Sequence, residues 1–132
     1  MRPLRWILTL TVVSIGVAAC APSLPAKGEV VGGISRCDAL GTPGPQYVAG
    51  TVTVLRGQVT RRTIRPGTSQ AVFPSERVAS QTVGTEGLYQ FQLDPGTYVL
   101  RGQYISGNAQ PFTSVVVKPG FTTRADIPNE CI

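Results

Sequence analysis

The chain has 132 residues, with 12 basic against 7 acidic side chains for a formal charge of +5, and no histidine. That length supplies one domain rather than two cores, and so mild a charge does not imply nucleic acid as a partner. The missing histidine removes the commonest general base and the commonest metal ligand together.

Arg2 and Arg5 precede an unbroken apolar run from Trp6 to Val17, followed by Ala18-Ala19-Cys20. A positive stretch, a short apolar stretch and small residues before a cut are the parts of an export signal. With a cysteine next, they form the pattern of a bacterial lipoprotein signal. Residues 1–19 are therefore expected to be removed and Cys20 to carry lipid. Plain secretory cleavage after Ala19 or Ala21 suits the same residues, although Pro22 disfavours the second. The apolar run falls well short of the roughly 20 residues a spanning helix needs, so anchoring is expected through acyl chains, two or more of which hold a protein stably. The expected location is the extracytoplasmic face of the cell membrane or outer membrane. Loss of 19 residues leaves 113, and loss of Arg2 and Arg5 lowers the net charge from +5 to +3.

Residues 20–27 form a proline-bearing tether, with Pro22 and Pro25 and no strand or helix period. The domain is expected over residues 28–132. Of the three cysteines, Cys20 is taken by lipid, which leaves Cys37 and Cys131 to pair in an oxidising compartment. Such a bridge would close a loop of about 95 residues and be worth on the order of 4 to 5 kcal/mol in the chain-entropy model.

From Gly28 onward the pattern is strands and turns, with 15 glycines and 11 prolines in the chain leaving no room for long helices. Val30 to Cys37, Val48 to Leu55 and Arg77 to Val83 are strand candidates. Gly57 to Glu76, rich in Arg, Thr, Pro, Gly and Ser, reads as either a mobile loop or an extra edge hairpin. The clearest period-two run is Tyr89, Phe91 and Leu93 alternating with Gln90 and Gln92, a strand with one buried face. Asp94-Pro95-Gly96 then reads as a tight hairpin turn, with glycine at positive φ, and Tyr98, Leu100 and Tyr104 as inward residues of the returning strand. Lys118-Pro119-Gly120 repeats that chemistry between Phe112 to Val117 and Phe121 to Ile127, predicting a second hairpin. About seven strands in a chain of this size bury themselves by stacking two antiparallel sheets.

The run Gly87-x-Tyr89-x-Phe91-x-Leu93-x-Pro95-Gly96-Thr97-Tyr98, preceded by Gly50-x-Val52-x-Val54 and followed by Val115-x-Val117-x-x-Gly120, resembles the carboxypeptidase regulatory-like domain. The resemblance covers most of Gly28 to Ile127. It implies an all-β, immunoglobulin- or transthyretin-like antiparallel β-sandwich with an accessory role and no catalytic zinc site. The chain departs from the family pattern at Asp38 to Tyr47 and at Gly57 to Glu76, which leaves strand order open.

Candidate chemistry is sparse. Without histidine no Ser-His or Cys-His pair can form, and no catalytic residue, metal site or cofactor is expected. Glu86 and Asp94 fall in predicted turns, Asp38 in a loop and Glu130 near the end, with no spacing that pairs two carboxylates across a cleft. Arg61, Arg62 and Arg65 form the basic cluster, a candidate contact for an anion or a partner, with a solvated edge as the plain alternative. Tyr89, Phe91 and Tyr98 are expected inside, leaving Tyr47, Phe73, Tyr104 and Phe112 for any sugar-stacking surface. Lys27 and Asn129 invite an isopeptide bond, which a disulfide joining the same ends makes superfluous. The sequence thus points to a lipid-anchored, non-catalytic module of the envelope with a structural or protein-interaction role. The alternative is a carbohydrate- or envelope-polyanion-binding module.

Overall fold

The computed structural model describes Cys20 and residues 22–36, 47–104 and 110–128. Cys37, Cys131, Asp38, Asn129 and Glu130 lie outside the described residues, as does the proposed signal. Among the described residues nine strands follow in order: β1 Gly28–Gly33, β2 Gly50–Arg56, β3 Thr60–Arg65, β4 Thr68–Val72, β5 Arg77–Val83, β6 Leu88–Leu93, β7 Gly96–Tyr104, β8 Phe112–Val117 and β9 Thr122–Arg124. They form a three-stranded sheet β6-β1-β9, a four-stranded sheet β5-β2-β7-β8 and a separate ribbon β3-β4. The described residues form an all-β sandwich of seven strands in two sheets, with one two-stranded hairpin added.

Alternation decides which residues meet between the sheets. Val30 and Ile34 from the first sheet face Val52, Val54, Tyr98 and Leu100 from the second, all fully buried, together with Ile127. Tyr89, Phe91 and Leu93 are buried as their spacing predicts, while the alternate residues Leu88, Gln90 and Gln92 are exposed. Tyr104 is half-buried at the edge of the same core.

Two turns differ from expectation in the same way. Asp94-Pro95 does not close a hairpin, because β6 and β7 belong to different sheets; it carries the chain across the sandwich. Gly96 is already the first residue of β7, paired with Val117, and has the expected positive φ, at 159°. The Tyr98 hydroxyl donates to the Asp94 carbonyl at 2.8 Å and so braces the crossing. Lys118-Pro119-Gly120 likewise leads from β8 in one sheet to β9 in the other, with Gly120 at φ 73° making the left-handed bend. The Glu86 turn also links strands of different sheets, β5 and β6.

β9 runs parallel to β1, so the first sheet is mixed rather than purely antiparallel. The chain beyond β9 continues along β1: Ala125 N–H donates to Val31 and Ile127 N–H to Gly33, at 2.9 and 2.8 Å. Gly32 makes this close approach possible, since a Cβ there would run into the Ala125 carbonyl oxygen. The Tyr89 hydroxyl donates to that same carbonyl, and burial, reinforced by Asp126, pushes its pKa well above that of a free phenol.

Candidate functional site

The Gly57 to Glu76 segment resolves into the hairpin rather than a loop. Every residue of β3 and β4 is exposed, and among the described residues the two strands pair with each other alone. The turn at Pro66-Gly67 uses Gly67 at φ 83°. Arg61, Arg62 and Arg65 all lie on β3, opposite Ala71, Gln70 and Thr68. Because side chains alternate along a strand, Arg61 and Arg62 fall on opposite faces of the ribbon. The basic cluster of the sequence is therefore a charged collar on a projecting arm, not a one-sided patch. Among the described residues, none of the three joins an ion pair; those present involve Arg56 and Arg124.

The arm is rooted in two places. Arg56, the last residue of β2, pairs with Glu76 at 3.4 Å and approaches Asp94 at 4.0 Å, while its N–H donates to the Glu76 carbonyl at 2.9 Å. It thereby ties both stems of the hairpin to the Asp94-Pro95 crossing. Phe73, just past β4, meets Phe112 of β8 edge to face, with ring centroids 5.0 Å apart. The Arg101 guanidinium lies over the Phe73 ring, 5.0 Å from its centroid.

This root adds a partial third layer. Leu55 and Val99 are cross-strand partners on the face turned away from the inter-sheet core, yet both are buried. Val59 lies beside Thr97 and Ser114, and Pro74 beside Leu55 and Arg101, so the hairpin stems shelter this outer apolar pair. Between the Pro74 stem and the sheet runs a groove of about 420 Å³ whose walls include Arg77 and Arg101. Sequence reading passed over these two arginines. Arg101 alternates with buried Leu100 and Gly102, which marks it as outward, but its proximity to Arg77 follows only from the pairing of β2 with both β5 and β7.

The arm and the tether spring from one end of the sandwich. Gly28 pairs with Leu93, Gly96 with Val117 and Arg56 with Tyr98. Gly120 N–H donates to the Lys27 carbonyl at 3.1 Å, and Gly57 N–H to the Thr97 carbonyl at 3.0 Å. Cys20 and residues 22–27 are exposed, and the Cys20 thiol is free.

The outer face of the three-stranded sheet carries a different polar set that the sequence reading did not single out. Glu29 accepts from Gln90, from Gln92 at 3.3 Å and from Thr122 at 2.6 Å, which spans all three strands. The Thr122 bond and then the Gln90 bond hold its carboxyl below the usual carboxylate range. Arg124 pairs with Asp126 at 3.1 Å and donates to the Tyr47 hydroxyl; Asp126 also accepts from Gly33 N–H at 3.0 Å. These groups satisfy one another around a shallow depression of about 410 Å³ over Val31 and Leu88.

Of the rings considered for sugar stacking, Phe73 and Phe112 meet each other and Tyr47 is tied to Arg124. The Tyr104 hydroxyl is buried with no hydrogen-bond partner among the described residues, and burial raises its pKa. Glu86 and Asp94 are exposed in their inter-sheet turns. Among the described residues no three cysteine or carboxylate side chains converge as a metal set would, and no helix is long and apolar enough to cross a membrane. No protein-family model matches the chain, and neither a curated protein nor a solved structure matches it.

Proposed function

We propose that this chain is a lipid-anchored, extracytoplasmic, non-catalytic module of the cell envelope, which engages an acidic protein partner through the β3–β4 arm. The observation that carries the reading is the arm itself: a ribbon exposed along both strands, with Arg61, Arg62 and Arg65 distributed over its two faces. An isolated two-stranded hairpin is marginal in water, and the arm adds no residue to the inter-sheet core. Charge on both faces suits a ribbon seated in an acidic cleft. A flat anionic surface would meet only one face at a time.

The rest of the reading comes from the sequence. The lipoprotein pattern ending in Cys20 supplies the anchor, the histidine-free composition supports a non-catalytic role, and the resemblance to carboxypeptidase regulatory-like domains supports an accessory one. Cys37 and Cys131 remain the proposed structural bridge.

The test is photo-crosslinking in intact cells from a probe placed at Ile64, with and without the substitutions Arg61→Ser, Arg62→Ser and Arg65→Ser. A discrete protein adduct of one mass that disappears in the triple variant supports the proposal. Adducts made only of wall or glycan material would replace it with the polyanion-binding alternative, and an adduct pattern indifferent to the three arginines would end it.

A further inference from the structure

We propose that the groove between the hairpin root and the outer face of the four-stranded sheet binds a phosphate group, gripped by Arg77 and Arg101. This proposal is independent of the arm's partner, because it involves none of the β3 arginines.

Among the described residues, the groove brings two guanidinium-bearing residues to one concavity without a carboxylate in its walls. Arg101 stands at the centre of the sheet, between its cross-strand partners Thr53 on β2 and Phe112 on β8. Arg77 begins β5, opposite Leu55. Both line the same groove, and among the described residues neither makes an ion pair. The carboxylate next to Arg77 in sequence, Glu76, is turned to Arg56 instead. Like charges gathered in one cleft raise the local potential and draw anions to it.

Arg101 is also the more enclosed of the two. It is half-buried, and its guanidinium rests over the Phe73 ring, which is itself held by Phe112. A stacked guanidinium gives up less freedom when it forms a bidentate bond to an oxyanion. Ser75, Thr53 and Gln103 add neutral donors to the same walls, and Leu55 supplies an apolar floor. Two fixed positive charges with several donors match a dianion with three free oxygens better than a carboxylate, which offers one charge and two oxygens. A volume of about 420 Å³ falls within the range of small-ligand sites and leaves room beyond the phosphate for the molecule that bears it. The source of that phosphate is a monoester in either case: a soluble or polymer-borne one, or the headgroup of a lipid such as phosphatidic acid at the proposed membrane anchor.

The experiment is a backbone-amide NMR titration of the purified mature protein in neutral detergent, first with glycerol 3-phosphate and then with phosphatidic acid or phosphatidylcholine added to the micelles. Saturable shifts centred on Thr53, Ser75, Arg77, Arg101 and Gln103 are expected. Arg101→Gln and Arg77→Gln should each weaken binding about tenfold or more, as loss of a charge-assisted bond implies. The Arg61→Ser, Arg62→Ser, Arg65→Ser variant should bind unchanged. Because arginine stays charged, affinity for the monoester should fall as its second proton returns below about pH 6. Saturation by glycerol 3-phosphate supports a soluble or polymer-borne ester. Arginine-dependent binding to phosphatidic acid alone supports a headgroup. Should Arg101→Gln disturb the sheet, the exposed Arg77 variant still decides. No saturable shift in either arm, or binding indifferent to Arg77 and Arg101, overturns the proposal.

Discussion

The sandwich and the arm are built from the same kind of element and held by different forces. In β6 and β7, Tyr89, Phe91, Leu93, Tyr98 and Leu100 are buried between sheets, whereas β3 and β4 expose every residue and keep Ile64 more than half open to solvent. The sandwich is stabilised by the area it removes from water. The arm depends on its own ladder, on Arg56 with Glu76, and on the Phe73–Phe112 contact at its root. Strand formation in this chain therefore does not require a core, but strand stability does, and substitutions in the two regions should differ in kind.

The largest effect is expected in the sandwich. Leu100→Ala deletes a fully buried side chain and should cost about 2–5 kcal/mol, read as a lowered denaturant midpoint with an unchanged slope. If the cost were under about 1 kcal/mol, the division between a load carried by the core and a free-standing arm would fail.

A middle effect is expected at the root. Phe73→Ala removes the edge-to-face contact with Phe112, worth about 0.5–1.5 kcal/mol beyond its area, and the ring on which Arg101 rests. Hydrogen exchange should quicken over residues 60–72, while amides of β1, β2 and β7 keep their protection. Equal quickening in both regions would show that arm and sandwich open as one unit.

The smallest effect lies on the outer face of the three-stranded sheet. Glu29 has a lowered pKa in the folded chain relative to its ordinary value of 4.5. Its carboxylate therefore favours folding above pH 4.5, and that contribution is lost as pH falls through the lower, folded value. Glu29→Gln should be slightly less stable than the parent at neutral pH, and the two should converge on acidification below 4.5. A difference that persisted undiminished into acid would locate the effect in packing rather than in charge.

Legibility followed the same division. The alternation of Tyr89, Phe91 and Leu93 announced a strand because one face of β6 meets a core. Thr60–Arg65 carries no such alternation because neither face of β3 is buried, and so its residues read equally well as loop or hairpin. The groove was hidden for another reason: Arg77 and Arg101 are 24 residues apart and meet only because β2 lies between their strands.

By itself, the sequence determined what local chemistry can determine. Period two marked the strands, proline and glycine marked the bends, and the total of apolar faces required two stacked sheets. Only the tertiary structure decided which sheet each strand joins. Asp94-Pro95-Gly96 and Lys118-Pro119-Gly120 bend the chain whether the next strand pairs with its predecessor or crosses to the opposite sheet. The choice rests on partners far along the chain: β1 taking β6 and β9 as neighbours, and β7 taking β2 and β8. A turn sets the direction in which the backbone leaves. Burial against distant residues sets where it arrives, and that free energy is not contained in any short stretch of sequence.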